Sequence, residues 1–340
     1  MNPTNSMTDS LQLELQHIRE GAAIFPLTDR AFLRITGSDA TRWLNGMVTN
    51  NIKDLAPGEG NYNFLLSAQG RIQGDCTIYR EPHEAEPTFL LETDIWQLET
   101  VESTLDKFII MDDVELSQTF YIQGVLTAQA GVALVGSSAP EILISLLGGE
   151  GEMSPAIAPA AGSLIRAFAN GAMLVVLAKP AVSIPAYEIW CESQREADLI
   201  LASLFRKTVL LSPETIEAHR ILSGTPKYGT DIRNTETAKD LPQETAQAHA
   251  LNFNKGCYLG QEIVERIHSR GQVHRTFTRF TLEGTLPAVP TPLEANGKSA
   301  GELTSVAQIG DTLVALGYAR REALETHQPL TYSGGTAKPV

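Results

Sequence analysis

The sequence predicts an α+β chain, two related α+β halves followed by a small all-β unit. Three observations predict it. Two stretches share one grammar: "AFLRITGSDATRWLNGM" and "GVALVGSSAPEILISLLGG" each read as a strand, a Gly-Ser turn and a helix. Each is followed by further strands and a second helix, the order β-α-β-β-α-β of a ferredoxin-like unit. From about residue 272 the text changes to short strand runs parted by Gly and Pro, the pattern of a small barrel.

The elements follow in order. "MNPTNSMTDSLQLELQHIRE" lacks a basic flank and apolar core, so we expect a polar arm leading into a short helix, not a secretory signal. After the first Gly37-Ser38 unit, "YNFLLSAQGRIQGDCTIYR" reads as two strands around a turn at Gln69-Gly70. "TFLLET" is a strand, "DIWQLETVESTLDKFI" a helix and "DVELSQT" a strand. In the second half, Gly136-Ser137-Ser138 and Pro140 open a helix that ends at Gly148-Gly149, with serine expected as the N-cap acceptor. "GEGEMSPAIAPAAGS" reads as an exposed loop. "LIRAF", "AMLVVLA" and "AYEIWCE" are strands and "READLILASLFRK" a helix. "RTFTRFTLEG", "KSAGELTSVAQIG" and "TLVALGYAR" are barrel strands, and the terminal "YSGGTAKPV" is expected to be loose. The expected units are 1–125, 126–215, a connecting segment 216–271, and a barrel over 272–335.

Composition narrows the function classes. Of 340 residues, 43% are apolar and 19% charged, which suits a globular chain. Forty acids against 26 bases give a net charge of −14, which opposes general binding to phosphate backbones. No apolar run is long enough to cross a bilayer. The three cysteines, Cys76, Cys191 and Cys257, form no C-x-x-C pair. Neither a disulfide framework nor a complete zinc site is expected, and a reducing cytoplasm fits best.

The least ordinary text is "NFNKGCYLGQEIVERIHSRG". Gly256 and Gly260 imply a tight connection, Ile263, Val264 and Ile267 mark one helix face, and Gly271 ends it. Cys257 then stands before a helix N-terminus beside Lys255, two features that favour thiolate. The residues alone leave it open between a reactive or ligating thiol and a small buried filler. In "HRILSGTPKYGTDI", Arg220 is able to grip a carboxylate, or the stretch is a surface turn. Asp75 is either a cleft acid near a cationic nitrogen or a water-facing edge acid. Arg266, His268, Arg270, His274 and Arg275 make a local positive patch. No P-loop or dinucleotide fingerprint is present.

Several blocks together resemble the YgfZ/GcvT superfamily, folate-binding proteins related to the aminomethyltransferase of glycine cleavage. "KGCYLGQE" with "RIHSRG" is the most specific; "GSDATRWLNGMVTNNI", "PGEGNYNFLLSAQGRIQGDCTIYR", "RILSGTPKYGTDI" and "GKSAGELTSVAQ" follow in family order. The resemblance implies a three-domain ring, two GcvT-type α+β domains and a C-terminal barrel, with tetrahydrofolate or a one-carbon derivative in a central channel. It implies Cys257 and Asp75 as the catalytic or functional residues. It implies a folate site drawn from Tyr62, Asp75, Glu188, Arg220, Tyr228, Lys255, Gly256, Tyr258, Gly260, Gln261, Glu262 and Arg270, with the anionic glutamyl tail on Arg220 or the Arg266–Arg275 patch, and no resident metal. The text departs from true aminomethyltransferases: the T-G-E before the F-E-I strand is absent in "AVSIPAYEIW", Gly74-Asp75 keeps only the second of two acids, and Asn51 replaces an Asp. The departures favour the YgfZ-like branch, linked to assembly or repair of iron–sulfur proteins, including tRNA-modifying enzymes. The implied partners are folate and iron–sulfur client or assembly proteins, with no nucleic acid and no membrane. The alternative is a folate-dependent aminomethyltransferase or demethylase.

Overall fold

The structure, a computed structural model, describes residues 3–82, 84, 86–118, 131–148, 157–180, 182–236, 238–271, 273–327 and 329–340. Helix α1 (Pro3–Glu20) leads into β1 (Ala23–Leu27). Then come β2 (Arg30–Thr36), α2 (Ala40–Met47), β3 (Gly60–Leu66), β4 (Ile72–Arg80), β5 (Phe89–Asp94), α3 (Leu98–Asp106) and β6 (Glu115–Ser117). The last five strands form a sheet in the order β3-β4-β5-β2-β6. Alternation sets its faces. Leu33 and Ile35 of β2 pack under α2 and α3 with Trp43, Leu44, Val101 and Leu105, while Phe32 points the other way. The sheet has one strand more than a ferredoxin-like unit, because β3, β4 and β5 run as a meander between the helices.

The second sheet uses β7 (Gly131–Val135), α4 (Ala139–Leu147), β8 (Leu164–Ala169), β9 (Ala172–Ala178), β10 (Ala186–Trp190), α5 (Gln194–Phe205) and β11 (Val209–Leu210). Its order is β11-β1-β7-β10-β9-β8, so strand 23–27, from the first segment of the sequence, lies in this sheet. Leu143, Leu147, Ile200 and Leu204 of α4 and α5 cover one face. Its other face meets the first sheet, where the rings of Phe32 and Trp190 meet edge to face at 4.9 Å. Of the "GEGEMSPAIAPAAGS" connection, residues 149–156 lie outside the described residues.

The Gly-Ser grammar has a different cause from the one expected. Neither α2 nor α4 has a side-chain N-cap bond. The glycine is the needed residue: Gly37 and Gly136 have φ of 116° and 140°, and a Cβ there would lie 2.1 Å from the Asp113 carbonyl oxygen and 2.3 Å from that of Gly21. Ser38 instead donates its hydroxyl to Asp113 at 2.7 Å.

Ser212 caps α6 (Pro213–Ser223), which ends at Gly224 in the left-handed region. A long irregular segment then crosses β3 and β4 and reaches α7 (Gln261–Arg270). The barrel follows: β12 (Arg275–Gly284), β13 (Thr291–Ala295), β14 (Lys298–Ile309), β15 (Thr312–Arg320), α8 (Arg321–Glu325), β16 (Leu330–Tyr332) and β17 (Gly335–Pro339). Its closed order is β12-β15-β14-β13-β16-β17. The terminal stretch is therefore not loose. β17 pairs with β12 from Phe280↔Pro339 to Gly284↔Gly335, which removes both sheet edges, and Tyr332 and Ala337 enter the barrel core. No helix among the described residues is long and apolar enough to cross a membrane.

Candidate functional site

Asp75 stands on β4, opposite Phe64 of β3. The Tyr62 hydroxyl donates to Asp75 Oδ2 at 2.5 Å, and Gln97 Nε2 donates to Oδ1 at 2.8 Å. The Asp75 N–H donates back to Gln97 Oε1 at 3.1 Å. These donors are neutral and Asp75 makes no direct ion pair among the described residues. Burial therefore raises its carboxyl above the usual range, against the two side-chain donors. Aromatic surface surrounds it. The His249 ring lies 5.5 Å from Tyr62, and Tyr228, whose hydroxyl donates to the Gln73 carbonyl at 2.7 Å, shares the same apolar cluster. Burial pushes the Tyr228 phenol up to about 12. Trp96, beside Gln97 and 55% exposed, packs against Gly229 and carries the Lys227 ammonium 5.5 Å from its ring.

Glu188 occupies a different environment. Its Oε1 is 3.4 Å from Arg30 Nε and 3.3 Å from Lys179 Nζ, and its Oε2 accepts from the Trp190 indole at 3.2 Å. Glu92 joins the cluster, 2.6 Å from Lys179 and 3.3 Å from Arg30, and Arg30 also pairs with Asp94. Burial alone would raise Glu188, but Lys179 and Arg30 outweigh it and hold its carboxyl low. Burial, with Glu188 alongside, pushes Glu92 up to about 7. Of the two carboxylates, Glu92 is the one whose proton affinity is raised. Both carboxylates are saturated by protein, so Glu188 is not brought to the Asp75 group as a free acceptor.

Cys257 is exposed, whereas Cys76 and Cys191 are buried. It lies four residues before Gln261, outside the first turn of α7, where the dipole effect has faded. Lys255 is not directed at the thiol. Its ammonium is buried, donates to the carbonyls of Val48 at 2.6 Å and Asn50 at 2.5 Å, and sits 5.0 Å from the Tyr258 ring centre. Burial pushes it down to about 7. The two carbonyls and the ring face act in the opposite sense. Tyr258 packs in the Tyr62–Tyr228 cluster. Gln261 Oε1 accepts from the Tyr258 N–H at 3.1 Å. Gly260 has φ of 81°, and a Cβ there would meet the Ser67 carbonyl oxygen at 2.6 Å. Gly256 has no such constraint: its φ is not positive and a Cβ would meet open space. Glu262 and Arg270 are exposed on α7 and reach none of these groups through a described contact.

Arg220 is also spent. It pairs with Glu217 and Asp231 at 2.7 and 2.6 Å and donates to the Thr225 carbonyl and to Ser305 of β14, fastening α6 to the barrel. The basic patch divides likewise. Arg275 is held by Asp240, Glu244 and Glu302, and His268 stacks on Phe253 at 3.8 Å. Among the described residues no three His, Cys, Asp or Glu side chains group as a metal site. Sequence reasoning missed Gln97, Trp96, His249, Arg30, Glu92 and Lys179. "DIWQ" carried a signal for the first two, an exposed Trp beside a buried amide, but the acids and cations of the Glu188 cluster share no local spacing.

Residues 2–246 match the GCVT N-terminal domain family and residues 275–340 match the CAF17 C-terminal beta-barrel domain. The chain is 26% identical over 298 residues to the mitochondrial iron-sulfur cluster assembly factor IBA57 homolog of Neurospora crassa, covering 84% of this chain and 58% of that protein's length. It is 25% identical over 296 residues to the human mitochondrial factor IBA57, covering 82% and 73%. It is 25% identical over 264 residues to the tRNA-modifying protein YgfZ of Edwardsiella ictaluri, covering 78% and 72%. Among solved structures it matches aminomethyltransferase T of the glycine cleavage system from Bartonella henselae, with a TM-score of 0.79 at 18% identity, over 97% of this chain and 88% of that one.

Proposed function

The chain belongs to the GCVT N-terminal domain family, and on that premise we propose that it is a tetrahydrofolate-binding factor for the assembly or repair of iron–sulfur proteins, tRNA-modifying enzymes among them, with Cys257 as its working thiol. The relatives named for cluster assembly and tRNA modification support the process. One observation carries the site: Asn50 joins the thiol loop to the aromatic pocket. Its carbonyl holds Lys255, two residues before Cys257, and its side-chain amide holds the Tyr62 carbonyl at 3.1 Å and that of His249 at 2.8 Å.

The residues around Asp75 fit a reduced pterin. Tyr62 and His249 offer flat faces, and a half-buried carboxyl with raised proton affinity suits ring nitrogens that carry exchangeable protons. When bound, the folate would supply one-carbon chemistry, and the chain's own part is to stack and orient it. Cys257 alone is one ligand where clusters take about four, so any iron it meets is shared with a client protein. The working units of this reading are two α+β units near 1–125 and 126–215, with Ala23–Leu27 given over to the second, the segment 216–271, and a barrel from 272 that runs on through Pro339 rather than stopping at 335, arranged as a ring around the folate, in the cytoplasm.

Cys257→Ser tests the reading. It should bind tetrahydrofolate by calorimetry as the native chain does, yet fail to restore a cluster-dependent tRNA-modifying activity in cells lacking the native protein. Full restoration would remove the thiol from the function. The aminomethyltransferase reading rests on Asp75, whose carboxyl burial pushes up, and turnover with an aminomethyl-loaded lipoyl carrier and tetrahydrofolate would establish it.

A further inference from the structure

The loop that follows α6 carries more than Tyr228. Its return limb is stitched to the start of β4: the Arg71 guanidinium donates to the Lys239 carbonyl at 2.7 Å and the Ile72 N–H to that of Asp240 at 3.2 Å. One residue on, the Gln73 carbonyl takes the Tyr228 hydroxyl, and two further on stands Asp75. Beside this seam a cavity of about 560 Å³ opens between the loop and the barrel, with Arg71, Arg233, Lys239 and Arg275 facing Glu236 and Glu302. Arg233 and Arg275 are neutralised by Glu302, Asp240 and Glu244. Arg71 and Lys239 are not: among the described residues neither has a carboxylate partner, and Lys239 is exposed. Glu236 likewise has no cationic partner among the described residues, so two open cations against one open acid leave the cleft positive in a chain of net charge −14.

We propose that this cleft receives the oligo-γ-glutamate tail of the folate, with Arg71 and Lys239 as its carboxylate contacts. The inference rests on the folate reading above. Four residues of strand separate Arg71 from Asp75, at most about 13 Å, a span that the aryl bridge of a folate covers. It takes the tail away from Arg220, and Arg275, although it lines the same cleft, is no carboxylate contact because its guanidinium is already occupied. Charge attraction at an exposed cleft weakens with salt.

The test compares tetrahydrofolate monoglutamate with tetrahydrofolate pentaglutamate by calorimetry on the full chain at low and high salt. The pentaglutamate should bind tighter at low salt, and Lys239→Glu should lower its affinity on the order of fivefold, more than it lowers that of the monoglutamate. Arg71→Lys keeps the charge but not the fork, and should lower pentaglutamate affinity by less. Equal affinities for the two ligands in the native chain, with monoglutamate binding intact, would overturn the tail site alone. Failure of both ligands to bind would overturn the folate reading as well.

Discussion

Asp75 and Glu188 are both acids on interior strands, β4 and β10, each paired antiparallel on both sides, and family resemblance implicates both. Their surroundings differ in one respect. Glu188 was folded together with its cations, Arg30 and Lys179, and its oxygens have no further need of a partner. Asp75 was folded together with neutral donors, Tyr62 and Gln97, and keeps a raised proton affinity. A buried acid is left available to a ligand when the protein supplies hydrogen bonds but withholds the countercharge. By that standard Asp75 is the chemical end of the site and Glu188 holds the sheets together.

The comparison breaks most visibly at Arg30. Arg30→Met leaves Glu92, Asp94 and Glu188 without their common guanidinium, and should lower unfolding free energy by about 3–5 kcal/mol in urea melts. A loss below about 1 kcal/mol would mean that the carboxylates manage by sharing protons. The next effect is in pH. Glu92 is raised from 4.5 to about 7. Its contribution is fully present below 4.5 and is lost as pH rises through about 7. Between pH 5 and 7.5 it should remove up to about 3 kcal/mol of stability. Lys179 does not offset this: burial lowers its proton affinity, but the two carboxylates more than restore it. Glu92→Gln should flatten that slope, and an unchanged slope would place the proton elsewhere. The smallest stability effect is at Asp75. Asp75→Asn retains an acceptor for Tyr62 and should change stability by no more than about 1 kcal/mol, while tetrahydrofolate affinity falls at least tenfold on the order of one charged hydrogen bond. Native affinity in Asp75→Asn would remove it from the ligand site.

What was legible in the sequence follows from the range of the interactions. Alternation and helical spacing are local, and most strands of both sheets, α7 and much of the barrel were readable from them, whereas Ala23–Leu27 and Val209–Leu210 were not. Tyr62 and Asp75 were readable too, since a hairpin brings them together. Glu188 was readable as a position but not as a closed one, because Arg30, Glu92 and Lys179 arrive from separate strands. Lys255 was misread for the opposite reason: nearness to Cys257 in sequence counted for more than burial, which turned its ammonium towards Val48 and Asn50. The last strands were misread because Gly and short runs hide a pairing whose partner lies far back, at β12.

The placement of β1 has a consequence for how the chain acquires its structure. Ala23–Leu27 lies between Gly131–Val135 and Val209–Leu210. Its neighbours are made long after it, and closing loops of such length is entropically slow. During synthesis the first sheet can form from its own meander, but β1 must wait beside it, apolar and unpaired, until β7 emerges. A chaperone would find this strand exposed, and pulse-labelled hydrogen exchange should show its amides protected after those of β3 and β4.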